Sequence, residues 1–314
     1  MRNRFERKVV GLAIIGMAVG LCLVVALPAG AQEIHEVSAD FDALVDAIDA
    51  AGDGDEIRVQ AGNIQWTQHV EITTDNLTLS GGWDSGFENR EPATTIISGY
   101  DDDDNNMLVV SAGGDFTLDG FTFEGNDIFD ADGIYFNPGL DSVSVLNNVF
   151  WENTFQRMLM TDGDTDGYDI VMDNNVFAGN ETNWVLIVLN GENHTVTYNG
   201  NTSYDNPPGA VQIRTFHDGT FVTVTNSMFV SCQRNELDDN NPENWTVHNT
   251  LFFNNAWEDW SQEDYADTGD NNLIEEPLFA DAGGGDFRLR GGSPAIGAAD
   301  DDGNLGARDL PGTG

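Results

Sequence analysis

Residues 147–153 read NNVFWEN and residues 174–180 read NNVFAGN, and this near-duplication constrains the fold more than any other feature of the chain. A looser form, Asn or Gly followed by Phe at the fourth position and Asn at the seventh, covers GFTFEGN at 120–126 and NTLFFNN at 249–255. GNTSYDN at 200–206 and NSMFVSC at 226–232 depart from it at one position each. The final residues, Asn126, Asn153, Asn180, Asn206, Cys232 and Asn255, lie 27, 27, 26, 26 and 23 residues apart, and TTIISG at 94–99 is a weaker earlier copy. Periods of that length mark stacked units, each touching only its neighbours.

Residue type decides which solenoid is built. Each copy is directly preceded by a short run rich in β-branched residues, as in DSVSVLNN, YDIVMDNN, HTVTYNG and FVTVTNS, and a second set, GIYFN, RMLMT, WVLIVLN and AVQIRT, falls between copies. Bounded by Gly, Asn and Asp, these read as strands, and no helical period runs through a unit. The expectation is an all-β fold, a right-handed parallel β-helix of roughly seven to eight coils stacked about 4.8 Å apart. Phe123, Phe150, Phe177, Phe229 and Phe252 then stack inside, and Asn126, Asn153, Asn180 and Asn206 form a ladder at a turn, where Asn tolerates left-handed angles. Ser203 and Cys232 interrupt the two ladders.

A solenoid needs covers at its ends. SADFDALVDAIDA, Ser38 to Ala50, sets Phe41, Leu44, Val45 and Ile48 at helical spacing and predicts an N-terminal amphipathic capping helix within residues 32–54. Coils are expected over 55–255, and an irregular connection with a segment closing the far end over 256–314.

The first eight residues carry four cations, an apolar run extends from Val9 to Leu27, and Ala29-Gly30-Ala31 has the form of a cleavage site. Residues 1–31 therefore read as a secretory signal peptide, with secretion or display at the cell surface and no bilayer insertion after cleavage. The apolar run also approaches the length of a spanning helix, so an uncleaved anchor is the competing reading. The formal net charge is −42, and Lys8, inside this leader, is the only lysine. Such a charge excludes nucleic acid and anionic membrane surfaces as partners, which bind through clustered cations. It fits either salt adaptation or binding of divalent cations. Cys232 is the one cysteine beyond the leader, which rules out an intramolecular disulfide in the mature chain.

The coils resemble the pectate-lyase-like right-handed β-helix superfamily over roughly residues 55 to 255. The tail, 275–309, resembles the C-terminal segment of secreted bacterial choice-of-anchor Q domain proteins through Pro277 to Phe279, Asp286 to Leu289 and Gly292 to Gly297. Polysaccharide lyases of the superfamily pair calcium with a basic residue that removes a proton from a uronate. With lysine absent beyond the leader, that resemblance implies an arginine base, and Arg157 and Arg214 are the candidates. If Met158, Met160, Val211 and Ile213 point inward, strand alternation turns both outward, though two coils apart. Outward arginines compensating neighbouring carboxylates are the plainer reading.

The sharpest local motif is TDGDTDGYDIVMD at 161–173. Asp162, Asp164, Asp166, the Tyr168 carbonyl and Asp173 have the spacing of a calcium loop, in which hard oxygen ligands converge around a tight turn. An ordinary acidic turn followed by a strand explains the same letters. Exposed rings suit flat sugar faces; Tyr135, Trp151, Trp257 and Trp260 are the candidates, with Tyr135 expected beside Arg157. The expected function is binding of carbohydrate, or a structural or adhesive role, by a secreted or surface β-helix, with Tyr135, Trp151, Arg157 and Arg214 contacting ligand. The alternative is a calcium-dependent polysaccharide lyase or related glycan-active enzyme.

Overall fold

A computed structural model describes residues 32–161, 167–206, 211–215, 219–232, 237–238, 244–255, 269–308 and 310, with backbone alone at 183–186, 211–212 and 237–238. The signal peptide expected at 1–31 and the calcium-loop residues Asp162, Asp164 and Asp166 lie outside these, as do Trp257 and Trp260. Among the described residues no helix is long and apolar enough to cross a membrane.

The chain winds through three parallel sheets of nine, eight and seven strands, here called A, B and C, so that each coil supplies one strand to each. Coil 1 consists of Glu56–Gln60, Gly62–Gln65 and Val70–Ile72; coil 4 of Leu140–Leu146, Val149–Trp151 and Thr154–Thr161; coil 5 of Asp169–Asp173, Val176–Ala178 and Glu181–Leu189. Seven coils carry all three strands, and an eighth contributes Trp245–His248 and Leu251–Phe253. This is the expected parallel β-solenoid. Its interior is one continuous apolar core to which every coil contributes.

The expected Phe column is present in register, Phe123 on Phe150 on Phe177, with ring centroids 5.0 Å apart at both steps. At Ser203 the column is interrupted. Tyr198, from the sheet A strand of the same coil, lays its ring into the gap, 6.3 Å from Phe177 and 5.7 Å from Phe229. Its hydroxyl lies 3.1 Å from the Ser203 Oγ, so the small residue and the displaced ring fit each other.

The Asn ladder is also present, with its angles shifted by one residue. Left-handed backbone falls on the preceding residue, Gly125, Glu152, Gly179, Asp205, Ser231 and Asn254, and not on the ladder asparagines as expected. The ladder residues are buried instead, because their amides replace water for the turn's own backbone. Asn180 Nδ2 donates to the Phe150 carbonyl at 2.9 Å, while its Oδ1 accepts from the Asn153 backbone N–H at 3.2 Å. A second, unexpected ladder holds the turn from sheet A to sheet B. Asn148, Asn175 and Asn201 repeat the same pair of bonds there, behind left-handed Asn147, Asn174 and Gly200.

The N-terminal cover is as expected. Phe41–Ala50 is helical, capped by Asp40, whose Oδ1 accepts from the Ala43 N–H, and Phe41, Leu44, Ala47 and Ile48 are buried on coil 1. A strand at Ile34–Val37 adds to sheet A ahead of the helix. Its anchor is Asp55, whose carboxylate accepts from the Glu33 and Gly52 N–H groups and lies 2.9 Å from His35 Nε2. Burial works against that charge, and these bonds outweigh it, leaving the Asp55 carboxyl below its ordinary pKa.

The C-terminal segment differs from the expectation that it closes the far end. It lies along the outside of sheet B. Leu273 bridges to Leu251 in coil 8, Asp300 bonds Asn226, Ala307 bonds Thr202, and Arg308 bonds Asn174 in coil 5. The outward rows of sheet B explain why. In coils 1 to 3 they read Asn63, Ile96, Thr122 and Gln65, Ser98, Glu124; in coils 4 to 8 they read Val149, Val176, Thr202, Met228, Leu251 and Trp151, Ala178, Tyr204, Val230, Phe253. A sheet apolar on both faces must be covered on both, and the tail does this through Phe279, Phe287, Ala295, Ala299, Leu305 and Ala307.

Candidate functional site

The residues that sequence reasoning grouped as a ligand site are separated by the fold. Trp151 packs edge-on against Phe287, centroids 6.1 Å apart, beneath the C-terminal segment. The ring expected as an open platform is thus half-buried by the chain's own tail.

Tyr135, Arg157 and Arg214 all lie on sheet C, but in two rows. Tyr135 aligns with Met160, Val188 and Arg214, whereas Arg157 aligns with Asp132. Tyr135 is therefore not beside Arg157. An irregularity in the strand puts both Met158 and Leu159 in the inner core and turns Met160 outward, where it packs with Val188 and Tyr135. Sequence alternation alone points Met160 inward and so misplaces the row.

Arg157 forms a two-point pair with Asp132, Nε to Oδ1 at 2.6 Å and Nη2 to Oδ2 at 2.9 Å. The Asp132 side chain is 2% exposed. Burial pushes its carboxyl above the ordinary pKa, and the guanidinium opposes that shift. A buried charge left without its partner costs about 3–5 kcal/mol, so this arginine is committed to a structural pair. Arg214 stands two coils away, half-buried, in the other row.

The calcium-loop spacing also fails where it can be followed. Tyr168 is buried, its N–H donating to His194 Nδ1, and the extended strand Asp169–Asp173 then carries Asp173 about 16 Å onward at 3.3 Å per residue. Ligands of one calcium lie within about 2.6 Å of the ion, so Asp173 does not converge with the Tyr168 carbonyl. Its Oδ1 accepts from Asn199 Nδ2 at 2.7 Å. Among the described residues, the one His and carboxylate cluster with metal-ligand proximity is Glu33, His35 and Asp55, the N-terminal anchor described above.

Sequence reasoning missed the outward face of sheet A. Thr78, Thr117, Ser144, Val171, Thr197, Thr223 and Thr246 align in one row across successive coils. All are half-buried or exposed. Neighbouring polar side chains on this face are tied to one another, as Ser142 to Asp115 and Thr225 to Asn199. Among the described residues the six hydroxyls of the central row have no hydrogen-bond partner. They recur about every 4.8 Å, interrupted once at Val171. Phe221, 58% exposed, lies one row over, aligned with Thr195. The signal was present in the polar letters of SVSV, TVTY and VTVT, which alternate with the core residues.

No protein-family model matches the chain, its C-terminal segment included, and no curated protein matches it. It is similar to the crystal structure of pectate lyase Pel9A, at 14% identity and a TM-score of 0.46, over 90% of this chain and 97% of that one. The solenoid assignment rests on the strand register described above.

Proposed function

We propose that this is an exported or cell-surface β-helix protein that binds an extended polysaccharide along a solenoid face without cleaving it. The observation that carries this reading is the row of unengaged hydroxyls on sheet A. Threonine is stiff at χ1, so its hydroxyl is presented at little entropic cost, and hydroxyls in a straight row match the donors and acceptors repeated along a glycan. The net charge of −42 opposes a polyuronate and favours a neutral polymer. Pairing of Arg157 with Asp132 supports binding over cleavage, since that guanidinium is occupied.

Retention on insoluble neutral glycans tests the proposal. The parent protein is retained, and replacing Thr117, Thr197, Thr223 and Thr246 together by Val keeps the β-branched shape while removing four hydroxyls. At about 1 kcal/mol for each lost bond, release occurs at several-fold lower competitor concentration for each hydroxyl lost. No retention on any glycan, or ultraviolet-absorbing unsaturated products from a uronate polymer, overturns the reading.

A further inference from the structure

Where the C-terminal segment crosses the last coils it forms a groove with a volume of about 320 Å³. Its floor is the outward row Tyr204, Val230 and Phe253, consecutive coils in register. Its opposite wall is Glu276 to Ala282 with Arg290. Tyr204 and Phe279 meet nearly at right angles, centroids 6.0 Å apart.

The wall is held in place by its own bonds. The Arg290 N–H donates to the Leu278 carbonyl at 2.9 Å, its Nη2 donates to the Ala280 carbonyl, and Ser293 Oγ donates to the Pro277 carbonyl. Leu278 sits in the left-handed region at φ 54°, an uncommon conformation for a bulky residue, which the surrounding bonds maintain. Among the described residues the Glu276 and Asp281 carboxylates have no hydrogen-bond partner. Ser231 Oγ accepts from Asn254 Nδ2 at 3.1 Å, which leaves its own O–H to donate.

This lining selects by charge. Two carboxylates without partners, against the single cation of Arg290, repel an anionic ligand. Aromatic edges with a few acceptors and donors of both signs suit an uncharged ring carrying several hydroxyls. We propose that this groove binds one neutral sugar unit, its apolar ring face against Tyr204 and Phe253 and its hydroxyls on Asp281, Glu276 and Ser231. The assignment deepens the glycan-binding reading by adding a compact site for a single unit, on a different sheet from the hydroxyl row. Burial, with Asp205 and Asp281 nearby, raises the Tyr204 phenol, which stays protonated as a donor at neutral pH.

Saturation-transfer NMR of the full-length protein with free methyl glycosides tests it. A neutral hexoside gives transfer to its ring protons, whereas the matching uronic acid gives none. Asp281→Asn weakens the neutral hexoside about tenfold, the loss of one charge-assisted hydrogen bond, at an unchanged melting temperature. Glu276→Gln, also at an exposed position, gives an independent second variant should Asp281→Asn loosen the segment. The groove is overturned if no neutral glycoside gives transfer, or if both variants bind as the parent does. Polymer retention that survives either result leaves the sheet A reading standing, and loss of both signals removes the two together.

Discussion

Ser203 occupies the position that Phe123, Phe150, Phe177, Phe229 and Phe252 hold in other coils, and Tyr198 fills the space from the adjoining strand. Two residues five apart therefore exchange roles within one coil. Ser203→Phe alone collides with the Tyr198 ring and lowers stability by about 1–3 kcal/mol. Adding Tyr198→Val, the residue type at the aligned positions Val224 and Val247, returns most of that loss in denaturant melts. Purely additive losses in the two single variants would contradict the exchange. The column itself is legible in the sequence because each Phe recurs at a fixed interval. The compensation is not, since it joins two sheets whose relative placement no repeat spacing states. The same limit applies to Arg157: its outward turn follows from alternation, but Asp132 becomes its partner through a register irregularity that alternation does not contain.

At the scale of elements, the coils and the capping helix follow from patterns local to each unit, and the expected helix matches the observed one through Phe41, Leu44 and Ile48. The path of the tail does not follow from its own letters. It follows from the switch of the outward sheet B rows from Gln65, Ser98 and Glu124 to Trp151, Ala178 and Tyr204, a signal visible only after the coils are aligned. Asn174 and Asn226, both left-handed, point their amides at the tail: Asn174 exchanges two bonds with the Arg308 backbone, and Asn226 accepts from the Asp300 N–H and donates to its carboxylate. Gly200 takes the equivalent place in coil 6, so Asn174→Gly with Asn226→Gly preserves the turns and removes these contacts, together with one bond each to Asn147 and Asn199 of the preceding coil. Cleavage within 269–308 then occurs at markedly lower protease concentration, while the circular dichroism of the sheets is retained. Equal resistance of variant and parent would show that apolar packing alone holds the tail.

For the whole molecule, a formal charge of −42 is spread over a solenoid whose interior is continuous and apolar. Like charges on the surface oppose compaction until salt screens them. The screening length falls from about 10 Å at 0.1 M to about 3 Å at 1 M, so the melting temperature rises across that range in sodium chloride. A flat or falling profile would locate the compensation in fixed internal pairs such as Arg157 with Asp132.

The tail that returns over sheet B also sets an order of events in folding. Neighbouring coils join residues 26 or 27 positions apart, as Asn175 to Asn201 and Asn148 to Asn175, and such local closures are fast. Arg308 meets Asn174 across 134 positions. The outward rows of sheet B in coils 4 to 8 thus stay uncovered from the time those coils form until residues 273–308 dock. A chain cut before residue 269 therefore keeps the contacts that wind the coils and presents Trp151, Val176, Met228 and Leu251 to solvent, a side on which two such molecules would adhere.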